Sequence, residues 1–291
     1  MKLLAFGEVL YDVYPDNACI GGAPLNLSAH FALMGGEAFL MSAVGDDALG
    51  EKALKEMKSM GINTKYIARL SDKMTGRCDV TLDENFVPSY DLKNDVAYDY
   101  IDADTLNEEF DVLVFGTLAL RGKHNTDAIK KLIKSEKIKK IYTDLNIRPP
   151  FYSKESVILC LENSDIVKIS DEELPAVCEL VFGNIYGIKD VFVRLKEEFS
   201  NLEIIIITAG KNGSYAYDIK NDKVFFCGAK KVDAVSTVGA GDSFGAAFLY
   251  EYFNGKDLYS CMEFASQVSG FVVSNKEAVP SNMKEFLDSI K

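Results

Sequence analysis

Short runs of apolar residues recur along this chain, at 3–6, 39–44, 112–115, 141–143, 166–169 and 204–208, with helix-like segments between them. That alternation constrains the fold more than any other feature. Each run reads as a strand buried on both faces. Leu25, Ala29, Ala32 and Leu33 share one face of a helix that Gly35 and Gly36 end, and Leu54 and Met57 lead to a stop at Gly61. Ile129, Leu132 and Ile133 form a third stripe, and Cys261, Phe264, Ala265, Val268 and Val272 a fourth. Buried strands alternating with helices predict an α/β fold with a mostly parallel sheet covered on both faces. At 291 residues and 48% apolar, the chain can bury one large core. No repeat, low-complexity tract or Pro/Ser-rich linker divides it, so 1–291 reads as a single domain.

One stretch breaks the pattern. Between Thr75 and Asp83, Cys78, Val80 and Leu82 alternate with Asp79, Thr81 and Asp83, the period of a sheet with one wet face. The region on to Tyr100 has no helical stripe, and 9–14 is also strand-like. Together these predict a small discontinuous β-structure, roughly 9–20 and 75–100, projecting from the main domain. It could close a site from water or join two subunits as a homodimer; two ordinary hairpins would give the same period.

Composition removes several functions. A net charge of −12 argues against nucleic acid, whose phosphates would be repelled. No apolar stretch approaches the length of a membrane span, and the N-terminal residues lack the pattern of a signal peptide. Six scattered cysteines with no C-x-x-C pair read as reduced, mostly buried thiols, and two distant histidines offer little for zinc. The expectation is a soluble, cytoplasmic protein acting on small molecules.

The chemistry is most concentrated at 238–243, Val-Gly-Ala-Gly-Asp-Ser, which opens a long apolar helix over 244–252. Successive backbone amides at a helix start form an anion site, and Gly239 and Gly241 let a phosphate approach the main chain. Asp242, one residue away, suits a base that takes a proton from an attacking hydroxyl. Glycines before a helix can also make only a tight turn. A dinucleotide fingerprint is a poorer match: Gly239-Ala240-Gly241 with Gly245 is one residue too long, and too little chain follows. The stretch from Gly116 to Lys123 has the wrong spacing for a Walker loop, with His124 where Ser or Thr is needed.

Other polar clusters follow strands, where parallel sheets bind ligands. Gly21-Gly22-Ala23-Pro24-Leu25-Asn26 lets backbone meet a small ligand, with Asn26 suited to sugar hydroxyls; it is also an ordinary way into a helix. Asp144-Leu145-Asn146-Ile147-Arg148, Ser170-Asp171-Glu172-Glu173 and Thr208-Ala209-Gly210-Lys211-Asn212-Gly213 have the same placement. Asp171 and Glu172 read best as helix N-caps.

In order, G-E-x-x-x-D, G-G-A-P-x-N, D-x-N-x-R, K-x-S-x-x-E, T-x-G-x-x-G and G-A-G-D resemble the ribokinase/PfkB family of carbohydrate kinases, over nearly the whole chain from Gly7 to Pro280. The G-G-A-P-x-N form looks most like the fructokinase branch. The resemblance implies a three-layer αβα sandwich with a β lid, using ATP and Mg²⁺ to phosphorylate a primary alcohol. It implies Asp242 as catalytic base and Gly239, Ala240 and Gly241 as anion hole. Asp12, Gly22 and Asn26 match sugar contacts, and Arg148 a basic residue near substrate or phosphates. Glu173 matches an acid that holds Mg²⁺ through water; Ser170, Thr208, Gly210 and Gly213 match the nucleotide side, and Asn275 the late segment near adenine. Three departures stand out. Ser236 replaces an Asp that helps hold a monovalent cation, which weakens the case for potassium. Ser170 replaces Asn, and Glu277-Ala278 replaces Gly-Ala.

The expected activity is an ATP-dependent sugar kinase making fructose 6-phosphate. Within that class 2-keto-3-deoxygluconate is the main rival, requiring an extra cation such as Arg148 or Arg121, and ribose or a nucleoside are further options. Outside it stand a non-catalytic sugar- or nucleotide-sensing homologue and, last, a dehydrogenase.

Overall fold

The computed structural model describes residues 1–14, 17–82 and 88–290. Along the chain the strands are β1 (Lys2–Phe6), β2 (Leu10–Val13), β3 (Ala18–Gly21), β4 (Glu37–Gly45), β5 (Ile67–Leu70), β6 (Gly76–Leu82), β7 (Pro88–Leu92), β8 (Phe110–Phe115), β9 (Ile138–Asp144), β10 (Ile166–Ser170), β11 (Ile204–Thr208), β12 (Ser214–Asp218) and β13 (Lys223–Cys227). The helices are α1 (Ala23–Leu33), α2 (Ala48–Ser59), α3 (Lys123–Ile133), α4 (Lys154–Asn163), α5 (Leu174–Phe182), α6 (Ile188–Glu198), α7 (Ala240–Phe253), α8 (Leu258–Val273) and α9 (Met283–Ile290).

A nine-stranded sheet runs in the order β13-β12-β11-β10-β9-β8-β1-β4-β5. Strands β5 through β11 in that row are parallel, and β12 and β13 close one edge as an antiparallel hairpin. The two-residue side-chain period sorts each strand between two cores. Leu3 and Ala5 of β1, with Val112, Val114, Ile204 and Ile206, pack under α1, α2, α7, α8 and α9. Leu4 and Phe6, with Leu113, Phe115, Ile205 and Ile207, pack under α3, α4, α5 and α6. The result is the expected α/β sandwich, and the six strands expected from sequence are β1, β4, β8, β9, β10 and β11.

Strands β5, β12 and β13 lacked that signal. Two lie at sheet edges, where one face needs no apolar cover: Val224 and Phe226 of β13 are each 50% exposed. Helix α1 departs from a one-faced stripe. It is buried all round from Pro24 to Phe31, because it is wedged between the sheet and α7.

A second sheet of four strands has the order β3-β2-β6-β7, antiparallel at both outer pairs and parallel between β2 and β6. Its strands follow β1 and β5 directly. Leu10, Cys78, Val96 and Tyr98 give it a small core of its own. Parts of the stretches expected to form the lid, 15–16 and 83–87, lie outside the described residues.

Candidate active site

The chain leaves β1 toward β4 and later returns to β8 on the other side of β1, so the β1/β8 boundary is a switch point of the sheet. Open parallel sheets bind ligands beyond strand C-termini at such points. Glu8 after β1, Gly116 after β8, Asp144 and Asn146 at the end of β9, and Asp242 line one pocket there.

Helix α7 begins against this pocket. Its N-cap, Gly239, has a left-handed φ of 79°. A Cβ at Gly239 would stand 2.7 Å from the Ala278 carbonyl oxygen, so packing demands glycine as well as any close-approaching ligand. The Ala240 N–H is donated to the Thr237 carbonyl at 3.2 Å. The amides of Gly241 and Asp242 have no acceptor among the described residues. Two free amides on a helix dipole suit an anion.

Asp242 is reached from α1. Asn26 Nδ2 donates to Asp242 Oδ2 at 2.8 Å, joining residues 216 positions apart in the chain. Burial pushes the Asp242 carboxyl up to about 6; nearby Asp144 adds to this, while the Asn26 hydrogen bond, Lys168 and Arg148 oppose it. Asn26 Oδ1 is buried without a partner, an acceptor available to a ligand hydroxyl.

Three charged residues that the sequence reading left without a role complete the floor. Lys168 Nζ donates to Asp144 Oδ2 at 2.6 Å, with side chains only 4% and 11% exposed. They are partners across the β9–β10 ladder. Burial disfavours the Lys168 charge, but Asp144 and Glu173 outweigh it and hold the amine above its ordinary range. Glu8 is 4% exposed and accepts the Ala23 N–H at 3.0 Å, at the start of α1. Burial pushes its carboxyl up to about 7, two backbone amides resist this, and Asp242 adds to it. The available signal was a charge interrupting an apolar strand: Lys168 between Val167 and Ile169, and Glu8 just past 3–6.

Among the expected sugar contacts, Gly22 lies against Glu8 and Asp12 beside Gly21. Gly22 has φ 121°, and a Cβ there would meet the Glu8 carbonyl oxygen at 2.3 Å. Asp12 on β2 places a carboxylate oxygen 3.7 Å from the Cβ position of Gly21. Burial raises its pKa, and a hydrogen bond with Cys78 partly opposes this. Arg148 is exposed and makes no ion pair among the described residues. Arg121 is committed elsewhere, gripping Asp99 at 2.7 and 2.8 Å and the Lys93 carbonyl at 2.8 Å.

Glu173 turns back on its own loop. It accepts the Ile147 N–H at 2.5 Å, the Ser170 N–H at 2.7 Å and the Ser170 hydroxyl at 2.9 Å. It therefore ties the loop after β9 to the loop after β10. Glu173 occupies the N-cap position of α5, so neither Asp171 nor Glu172 is the cap, and no side chain caps that helix. Thr208 ends β11, and Gly210 follows at φ 48° with open space around its Cβ position. Gly213 faces the protein instead, 2.3 Å from the Cys227 carbonyl oxygen at its Cβ position. Asn275 donates to the Phe271 carbonyl at 2.7 Å, finishing α8. Ser236 accepts the Val238 N–H at 3.2 Å.

Comparison with known proteins gives the family. Residues 16–285 match the model of the pfkB family carbohydrate kinases. An uncharacterized sugar kinase of Pyrococcus horikoshii, PH1459, is 30% identical over 280 residues, 92% of this chain and 84% of that protein. A 5-dehydro-2-deoxygluconokinase of Bacillus licheniformis is 28% identical over 283 residues, 90% of this chain and 84% of that one. The crystal structure of a fructokinase from Vibrio cholerae, with fructose, ADP and calcium bound, superposes with TM-score 0.85 at 19% identity, covering 99% of this chain and 98% of that one. The chain belongs to the pfkB family and is a carbohydrate kinase. Among the described residues no helix is long and apolar enough to cross a membrane.

Proposed function

We propose that this kinase transfers the terminal phosphoryl group of ATP to a primary hydroxyl of a sugar, with fructose the first candidate. The observation that carries the reading is the hydrogen bond from Asn26 to Asp242, which couples a sugar-type contact to the carboxylate beside two free amides. Asp12 and the orphan Oδ1 of Asn26 would hold ring hydroxyls. Asp242 would accept the proton as the hydroxyl attacks, and the amides of Gly241 and Asp242 would hold charge that builds on the transferred group. The lid strands would cover the sugar.

Among the described residues no three carboxylate, histidine or cysteine side chains gather as a metal centre. Glu173 retains lone pairs beyond its three donors, which fits an outer contact through water to a magnesium ion on the nucleotide phosphates. Such an ion would neutralise charge on the transferring phosphoryl group. Ser236 has no carboxylate to offer a monovalent cation, so potassium is not expected to activate.

The G-G-A-P-x-N form puts fructose first, and of the two cations an acid sugar could use, Arg121 is already neutralised by Asp99. The acid reading stays second, supported by the B. licheniformis relative and the unpaired Arg148. An ADP-release assay across fructose, ribose, 2-keto-3-deoxygluconate, 5-dehydro-2-deoxygluconate and adenosine, with and without K⁺, separates them. The expected result is the highest kcat/KM on fructose, unchanged by K⁺. A preference for either acid that Arg148→Ala abolishes would replace fructose. No ADP release on any sugar would point to the non-catalytic reading.

A further inference from the structure

Beneath the first turn of α7 lies a buried ion pair with no part in the scheme above. A Cβ on Gly241 would stand 3.2 Å from Lys168 Nζ and 4.0 Å from Asp144 Oδ2. The ammonium therefore lies beside Gly241, the anion-hole residue that precedes Asp242. It is tied at 2.6 Å to Asp144, and its other two N–H groups have no partner among the described residues. A lysine this deeply buried is costly unless its charge is used, since an apolar pair of similar volume would often be as stable.

We propose that Lys168 is a positioning residue for phosphoryl transfer: its buried ammonium, anchored by Asp144, props the first turn of α7 and keeps Asp242 in its basic form. The inference rests on Asp242 being the base. The groups that face Asp242 come from every element around it: Asn26 on α1, Glu8 after β1, Tyr142 and Asp144 on β9, Arg148 after β9, and Lys168 on β10. Of these, Lys168 is the buried cation, and Arg148 is solvated. Removing Lys168 leaves Asp144 to push a proton onto Asp242. Removing the Asp144 charge acts in the opposite direction.

The test is the pH profile of kcat/KM for the sugar in folded Lys168→Met, Lys168→Gln and Asp144→Asn proteins, with thermal melting to verify folding. The acid limb should move up by about one pH unit in the Lys168 variants, with kcat/KM about tenfold lower below it, and down in Asp144→Asn. Lys168→Gln keeps a donor for Asp144 and carries the test if Lys168→Met does not fold. An acid limb that stays in place in folded variants, even with turnover reduced, overturns the proposal and leaves the pair purely structural. Asp242→Asn, measured alongside, keeps the readings apart. If it is inactive while the limbs stay fixed, only the role of Lys168 has failed; if it turns over normally, the base assignment has failed with it.

Discussion

Asn26 is where sequence and geometry meet most usefully at the scale of single residues. Its place in G-G-A-P-x-N suggested a sugar contact, but no spacing rule could reveal that its amide also holds Asp242 across 216 positions. Asn26→Ala should raise the sugar KM by roughly three- to tenfold, about the value of one neutral hydrogen bond. It should also raise the acid limb of kcat/KM, because the lost donor had favoured the carboxylate. An unchanged limb would show that the contact does not reach the base. Glu8 was legible only as a letter in a motif, since burial decides its behaviour. Burial pushes its folded carboxyl up to about 7 from the ordinary 4.5, so the folded state binds the extra proton and stability is lost as pH rises through that window. Glu8→Gln removes the ionising group and keeps an acceptor for Ala23. The variant should melt above wild type at about pH 8.5 and equally with it at about pH 4. A gap that does not change with pH would contradict the assignment.

The glycines at element ends divide by what surrounds them. Gly239 combines a left-handed φ with the Ala278 backbone 2.7 Å from its Cβ position, and Gly213 combines one with the Cys227 carbonyl at 2.3 Å. Gly210 has only its φ against it, with nothing within 4 Å. Gly239→Ala and Gly213→Ala should therefore each cost several kcal/mol, while Gly210→Ala costs about 1 kcal/mol. Chemical denaturation ranks them, and equal losses at all three would refute the packing argument. The sequence motifs marked all three for a ligand; contact with Ala278 and Cys227 adds a folding reason that no motif carries. Strand assignment followed a similar rule. The six interior strands were readable because both faces are apolar, whereas β5 and β13 at the edges and β12 in the hairpin gave no such signal. The N-cap assignment at Asp171 and Glu172 missed because Glu173 takes that position and spends its carboxylate on Ser170 and Ile147.

The whole molecule gathers its chemistry where the sheet changes direction. Glu8, Asp144, Lys168 and Asp242 come from four separate segments, and only the parallel order of β9, β10, β1 and β8 makes them neighbours. The fold class was legible because strand and helix periods alternate over the entire chain. The proposed anion hole and base could be picked out in the sequence because they are contiguous, at 239–242. Whether Arg121 is free to meet a ligand was not legible, because its partner Asp99 lies 22 positions away and only the fold pairs them. Phosphoryl transfer as proposed depends on Asp242 as the base that activates a sugar hydroxyl. Its most direct test is the turnover of Asp242→Asn at saturating ATP and sugar, with binding of both ligands measured on the same protein. Turnover should fall by about 10² to 10⁴ while both ligands still bind; turnover near that of wild type would contradict it.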